Sequence, residues 1–152
     1  MNKDLPVKDL TDELEIHPII FFDGVCNLCN LAVDLVIKND KERNFRFAPL
    51  QGETAKALLP EGVGKFAGKE NENVWSMVLY NGDGYHERSQ AALHVGKDLN
   101  GPISIMSRVG LMMPRFLGDF VYRCIAANRY RIFGKKESCR LPTPEEQELF
   151  LP

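Results

Sequence analysis

The sequence has little of what marks several large classes of protein. Its 152 residues contain no stretch that approaches the ~18 uninterrupted apolar residues of a membrane-spanning helix. The first 17 residues carry five acidic side chains and no long apolar run, which is unlike a secretory signal. Four cysteines are too few for a disulfide scaffold, and a net charge of -2 gives no reason to expect a nucleic-acid binder. We therefore expect a soluble, cytoplasmic protein whose thiols stay reduced.

The length fits a single domain, which buries about 69% of the surface of its unfolded chain. We divide the sequence into a lead segment (residues 1–17), a main domain (18–140) and an irregular acidic tail (141–152). Residues 1–100 have a net charge of -5, with 11 basic and 16 acidic side chains, whereas residues 101–140 have +6, with 8 and 2. Basic charge is thus concentrated in one late segment.

The order of the predicted elements favours an α/β sheet with crossover helices. Strand-forming apolar residues at 19–22 and alternation at 45–48 predict two strands, and the apolar spacing from 28 to 36 predicts a helix between them that ends near residue 39. Residues 61–73 are glycine-rich and polar, so we expect a loop there. The other predicted elements are a helix at 54–59, strands at 74–80 and 85–88 around a turn at 81–84, a helix at 90–99 with Ser89 as its N-cap, and two helices over 103–134 separated at Pro114.

Two cysteines, Cys26 and Cys29, are separated by two residues at the junction of the first strand and the first helix. Unpaired backbone N–H groups at a helix N-terminus stabilise a thiolate there. Cys29 lies almost one turn later, close enough to form a disulfide with little backbone motion. The pattern predicts thiol-disulfide exchange. Cys26 attacks a substrate disulfide, and the less exposed Cys29 then attacks the resulting mixed disulfide. Asp23 accepts the proton that Cys29 gives up in the second step.

Other interpretations of these residues stay open. Cys26 and Cys29, with Cys139, could hold zinc in a binding or interaction module, although zinc sites usually have a second closely spaced ligand pair. The segment 20–24 is similar to the nucleophile strand of haloacid-dehalogenase-like phosphatases, but the second aspartate of that family is replaced by Val25. The Asp23-Gly24 pair also suits a plain turn.

The residues Asp23, Cys26 and Cys29 resemble the DCC thiol-disulfide oxidoreductase family, which is named for an aspartate and two cysteines. The similarity continues in residues 88–92 and 122–139. It implies a thioredoxin-like fold: a mixed four-stranded sheet flanked by helices, here with a helical C-terminal extension at 102–134. It also implies oxidoreductase activity on a disulfide-containing protein or a small-molecule thiol. We expect neither a bound cofactor nor a metal.

Two pairs of residues are candidates for substrate binding. Thioredoxins place a cis-proline opposite the dithiol, and residues 74–77 contain no proline, so Trp75 and Ser76 are candidates for the docking wall. Arg88 and Ser89 begin a predicted helix, where N–H groups and a guanidinium could bind an anion such as the carboxylate of glutathione, a candidate co-substrate. The alternatives are a core tryptophan with a strand serine, and an N-cap serine with a solvated arginine.

The basic segment 108–136 is a candidate surface for an acidic partner or for a membrane. Packing against the core is a competing interpretation, because five residues of the helix predicted after Pro114 form an apolar stripe at helical spacing. We expect this stripe to face the core and the basic residues to face solvent. The stripe consists of Leu117, Phe120, Val121, Cys124 and Ile125.

Overall fold

The computed structural model describes residues 17–24, 26–61, 63, 65–67, 73–75, 77–81, 84–134 and 141–152. Five α-helices, six strands and one 3-10 helix are described in these ranges. In chain order they are β1 (Ile19–Phe22), α1 (Asn27–Asn39), β2 (Arg46–Pro49), α2 (Glu53–Leu58), β3 (Lys65–Ala67), β4 (Asn73–Trp75), β5 (Val78–Asn81), β6 (Gly84–Glu87), α3 (Arg88–Lys97), α4 (Pro102–Leu111), α5 (Arg115–Phe133) and the 3-10 helix Gln147–Leu149.

The main sheet has four strands in the order β2-β1-β5-β6. β1 pairs in parallel with β2 and antiparallel with β5, and β5 pairs antiparallel with β6. A parallel pair needs a crossover connection, and α1 supplies it between β1 and β2. The apolar run at 19–22 is buried on both faces, as expected for a central strand.

Helices cover both faces of this sheet. On one face, Ile20 and Phe22 pack in a cluster with residues of α1 and α3. On the other face, Ile19 and Phe21 pack with Ala55 of α2. The mixed sheet with its flanking helices confirms the expected α/β, thioredoxin-like fold, and α4 and α5 form the helical region expected after it. Among the described helices, none is long and apolar enough to cross a membrane.

The segment between α2 and β5 differs from the prediction. Residues 61–73 were expected to form a loop, yet β3 lies within it and pairs antiparallel with β4 as a separate two-stranded sheet. The strand expected at 74–80 is divided between β4 and β5. Strands of three residues are too short to show an alternating pattern, so their composition alone predicts a loop.

The predicted N-cap of α3 is also wrong. The helix begins at Arg88 and its N-cap is Glu87, whose side chain makes no capping hydrogen bond. Ser89 lies inside the first turn, where it is buried. The residue preference that favours serine at N-caps therefore gave a boundary that is two residues late.

The apolar stripe of α5 does not face the core, which corrects the prediction. Cys124 is exposed, and the four large apolar residues of the stripe are between 40% and 65% exposed. Small residues face inward instead: a Cβ on Gly118 would lie 3.0 Å from Ser89 Oγ, and Ala126 is buried. Close approach of α5 to α3 needs small side chains, so the large ones are left on the outer side.

The C-terminal residues complete the core, although the sequence predicts only an irregular tail. Leu149 and Leu151 are buried, one in each of the two apolar clusters. The ring of Phe150 stacks on Phe47 at a centroid distance of 5.3 Å, and the Leu151 N–H donates to the Phe47 carbonyl oxygen (2.7 Å). The division into lead segment, domain and tail stays a prediction, since the lead segment lies outside the described residues apart from His17.

Leu149→Ala tests whether the C-terminal residues stabilise the domain. Leu149 is 4% exposed, so the truncation leaves a cavity and should lower the unfolding free energy by about 2–5 kcal/mol in urea unfolding. Leu141→Ala is the matched control, because Leu141 is 85% exposed and should change the stability by about 0.5 kcal/mol or less. Equal effects of the two changes would contradict the packing described here.

Candidate active site

Cys26 is the N-cap of α1, so it lies where the helix begins. Its carbonyl oxygen accepts a hydrogen bond from the Asn30 N–H (3.0 Å), and its own N–H donates to the Asp23 carbonyl oxygen (3.2 Å). The Asn30 side-chain amide donates to the Gly24 carbonyl oxygen (3.3 Å), so the turn between β1 and α1 is held from the helix side as well. No acidic residue lies in the first turn of α1 to offset the positive end of the helix dipole.

Cys29 lies three residues later on α1, and the two cysteines approach each other to 3.5 Å. Neither cysteine is joined in a disulfide. Cys26 is fully buried whereas Cys29 is partly exposed, so the expectation that Cys29 is the less exposed of the pair is wrong. The end of α5 lies beside the N-terminus of α1, where the Asn27 side-chain amide donates to the Phe133 carbonyl oxygen (2.8 Å).

Asp23 follows β1 directly and is only 1% exposed. Its Oδ1 accepts a hydrogen bond from Nε2 of Gln51 (3.0 Å), which follows β2. Because β1 and β2 are parallel, their carboxyl ends lie at the same edge of the sheet, and this brings Gln51 to Asp23. A buried carboxylate needs such a donor. The sequence offers no spacing signal for Gln51, which lies 28 residues from Asp23.

A cavity of about 240 Å³ adjoins Cys29 and is lined mainly by apolar side chains. Its volume is just below the range of ~300–1,000 Å³ that is usual for small-molecule sites. The cavity has room for a small apolar group beside Cys29. Its walls are the sheet residues Ile20 and Phe22, the α1 residues Leu28 and Ala32, and the α5 residues Tyr122, Ile125 and Ala126, among others. A second cleft, of about 330 Å³ beside Asp40 and Glu146, contains no cysteine.

The docking wall predicted from Trp75 and Ser76 stays a prediction. Trp75 is the last residue of β4, and Ser76 lies outside the described residues. The next residue, Met77, donates its backbone N–H to the hydroxyl oxygen of Tyr122 (2.9 Å). Sequence reasoning missed this contact between the sheet and α5. The one signal for Tyr122 is its place in the 122–139 stretch that resembles the DCC family.

Arg88 and Ser89, the other candidate pair, lie at the start of α3. Arg88 has a left-handed backbone (φ 56°), and the Ser89 hydroxyl donates to Oδ1 of Asp119 on α5. The Ser89 hydroxyl is therefore already hydrogen-bonded to a side chain of α5. The negative charge of the Asp119 carboxylate would also repel an anion at this position. The assignment of these residues to glutathione stays a prediction.

Metal ligands are not grouped in the described part of the chain. No three histidine, cysteine, aspartate or glutamate side chains in the described ranges lie close enough together to hold a metal ion. Cys139, which the zinc hypothesis adds to Cys26 and Cys29, lies outside those ranges.

The sheet order and the Cys-x-x-Cys pair at the start of α1 are those of a thioredoxin-like protein. A family model described as DCC1-like thiol-disulfide oxidoreductase matches residues 20–135. The chain belongs to this family, which confirms the resemblance seen in the sequence.

Two relatives cover most of the chain. "Uncharacterized protein YuxK" of Bacillus subtilis (strain 168) is 38% identical over 143 residues, which make up 94% of this chain and 100% of the relative. "DCC family protein At1g52590, chloroplastic" of Arabidopsis thaliana is 37% identical over 129 residues, which make up 85% of this chain and 72% of the relative. No solved structure matches the chain.

Two histidines, His86 on β6 and His94 on α3, lie side by side. The rings of His86 and His94 stack with centroids 4.1 Å apart and planes 14° apart. Partial burial lowers the pKa of His94 from its ordinary value of 6.5, and the positive charges of His86 and Lys97 lower it further, while Asp98 acts in the opposite direction. The folded protein therefore favours neutral His94.

The His94→Gln variant should lose stability less steeply in acid than the unchanged protein. In the unfolded chain the histidine pKa returns to about 6.5, so the unfolded state binds more protons than the folded state. The contribution of neutral His94 is complete above about pH 6.5 and is lost as the pH falls through the lower folded pKa. Urea unfolding at several pH values between about 7.5 and about 5 measures the two slopes. Identical slopes would refute this role for His94.

Proposed function

We propose that the protein catalyses thiol-disulfide exchange with the Cys26–Cys29 dithiol. The observation that carries the proposal is that the two cysteines lie 3.5 Å apart at the N-terminus of α1. The distance suits a pair that joins and separates with little backbone motion. Membership in a thiol-disulfide oxidoreductase family supports the same chemistry.

The exchange proceeds in two steps. A cysteine thiolate of the protein attacks one sulfur of the substrate disulfide, forms a mixed disulfide and releases the other substrate sulfur as a thiolate. The second cysteine then gives up its proton and attacks the protein sulfur of the mixed disulfide. The second substrate thiolate leaves, and Cys26 and Cys29 are joined as a disulfide. Two electrons pass to the substrate, and an external thiol returns them to the protein.

The surroundings of the pair support the proposed steps. The N–H groups at the start of α1 stabilise a thiolate, which makes the protein sulfur a better leaving group. Asp23 is proposed as the acceptor of the proton that the resolving cysteine gives up. Gln51 is then a positioning residue, because its amide holds Oδ1 of Asp23.

We propose a disulfide-containing protein or a small-molecule thiol as the substrate, with glutathione as a candidate co-substrate. The cavity beside Cys29 supports a small reacting group, since its volume of about 240 Å³ is limited. A reducing compartment such as the cytoplasm fits this activity, because its thiol pool keeps such a dithiol reduced between turnovers.

Cys26→Ser and Cys29→Ser should each abolish reduction of insulin disulfides, since exchange needs both sulfurs. The matched control is Cys124→Ser, which removes an exposed cysteine on α5 and should retain full turnover. Circular dichroism checks that the variants fold, and zinc analysis of the purified protein tests the alternative in which the cysteines are ligands. Turnover by both Cys26→Ser and Cys29→Ser, or stoichiometric zinc, would overturn the proposal.

Trapping of the mixed disulfide identifies the attacking cysteine. Cys26 is buried and Cys29 adjoins a cavity, so we expect Cys26→Ser to form an adduct with oxidised glutathione faster than Cys29→Ser does. Peptide mass spectrometry over time measures both rates and the residue that is modified. The opposite order would contradict this expectation and would make Cys26 the attacking cysteine, as its position at the N-terminus of α1 predicts.

A further inference from the structure

Large apolar side chains are exposed on α4, on α5 and in the turn between them. In the described part of the chain, sixteen large hydrophobic residues are exposed, and twelve of them lie between residues 105 and 133. The most exposed are Met112 at 85%, Phe116 at 76% and Met106 at 73%. Single exposed apolar residues are ordinary, but twelve of them fall within 29 residues of two successive helices, and large exposed apolar patches mark interaction surfaces.

Both helices place their small residues inward. A Cβ on Gly110 of α4 would lie 2.6 Å from a methyl carbon of Leu93, and a Cβ on Gly118 of α5 would lie 3.0 Å from Ser89 Oγ. Ser107 and Ala126 are also buried. The large apolar residues are therefore on the outer side of the pair because the core side has no room for them. We call this outer side, formed by the exposed residues of 105–133, the apolar-basic face.

The charges on this face are of one sign. Residues 101–134 contain five arginines and one acidic residue, Asp119. Four of the arginines are exposed, and Asp119 accepts a hydrogen bond from the inward-facing Ser89. Residues 1–100 carry a net charge of -5, so the rest of the protein has the opposite sign. The exposed arginines are Arg108, Arg115, Arg123 and Arg131.

We propose that the apolar-basic face binds the surface of an anionic lipid bilayer. The apolar side chains at the turn, such as Met112 and Phe116, enter the boundary between headgroups and acyl chains. The arginines flank them and bind lipid phosphates, which guanidinium groups contact with two parallel hydrogen bonds. The acidic remainder of the chain is repelled by the same surface, so the protein binds in one orientation. This inference goes beyond the proposed exchange activity and does not depend on the cysteines.

Charge complementarity favours lipid over a second copy of the chain. A two-fold contact through this face would bring the exposed arginines of both copies into one interface, where Asp119 is the one acidic residue that residues 101–134 of each copy offer them. Removing these charges from water without partners is costly. An acidic protein would satisfy the arginines. However, the twelve apolar residues spread over two helices and their turn suit a fluid apolar phase better than one fixed set of pockets.

Co-sedimentation with lipid vesicles tests the proposal on the full chain. We expect binding to vesicles of phosphatidylcholine with phosphatidylglycerol, little binding to phosphatidylcholine alone, and release by salt. Met112→Asp combined with Phe116→Asp should weaken binding by roughly tenfold or more, since each change removes one large apolar side chain from the lipid boundary. Arg108→Gln combined with Arg115→Gln should weaken it by about fivefold for each arginine. Leu141→Asp is the control, because Leu141 is as exposed as Met112 but lies outside the face.

Three outcomes would overturn the proposal. One is failure of the unchanged protein to sediment with anionic vesicles at low salt. Another is a dimer in analytical ultracentrifugation that the Met112→Asp, Phe116→Asp protein loses, without vesicle binding by either form; the face would then join two copies. The third is binding to polyglutamate but not to vesicles, which would indicate an acidic protein partner. Insulin reduction by the same variants is measured in parallel, and its retention separates this proposal from the exchange activity.

Discussion

Apolar side chains cover both faces of β1, and this double burial fixes where the chain leaves the sheet. Ile20 and Phe22 lie in one cluster and Ile19 and Phe21 in the other, so the strand can neither slide nor turn over without exposing one set. The turn to Cys26 starts at the end of this buried strand. The cysteine pair is thus attached on one side to a strand that is buried on both faces, while on the other side it adjoins α5, which lies outside the sheet.

Most of the sheet, and the position of Cys26 at the beginning of α1, could be predicted from the sequence, because local patterns determine them. The run at 19–22 predicted β1, the apolar spacing from 28 to 36 predicted α1, and the turn residues at 81–84 predicted the hairpin of β5 and β6. The position of Cys26 at the mouth of α1 followed from the same two patterns. These features depend on residues that are close together in the sequence, and composition and periodicity describe the sequence at that range.

What the sequence did not predict depends on contacts between distant residues. Periodicity indicates that a helix has an apolar side, but it does not say whether that side or a side of small residues meets the core. For α5 the core side is the one with Gly118 and Ala126. The same limit explains why the bond from Gln51 to Asp23 and the burial of Cys26 were missed. No pattern near residue 27 indicates that the carbonyl oxygen of Phe133, at the end of α5, accepts a hydrogen bond from the Asn27 side chain.

One side of α5 lines the cavity at Cys29 and the other side is exposed, and this has a consequence for measuring the reactivity of the thiols. Tyr122 and Ala126 line the cavity at Cys29, while Phe120 and Cys124 on the same helix point outward. One helix diameter, about 10 Å, separates the two sides. Because the same helix forms a wall of the cavity and part of the apolar-basic face, a shift of this helix changes the cavity, and the rate at which a small alkylating reagent modifies Cys29 measures that change. Cys124 provides an internal reference for reagent delivery, since it is reached without entering the protein.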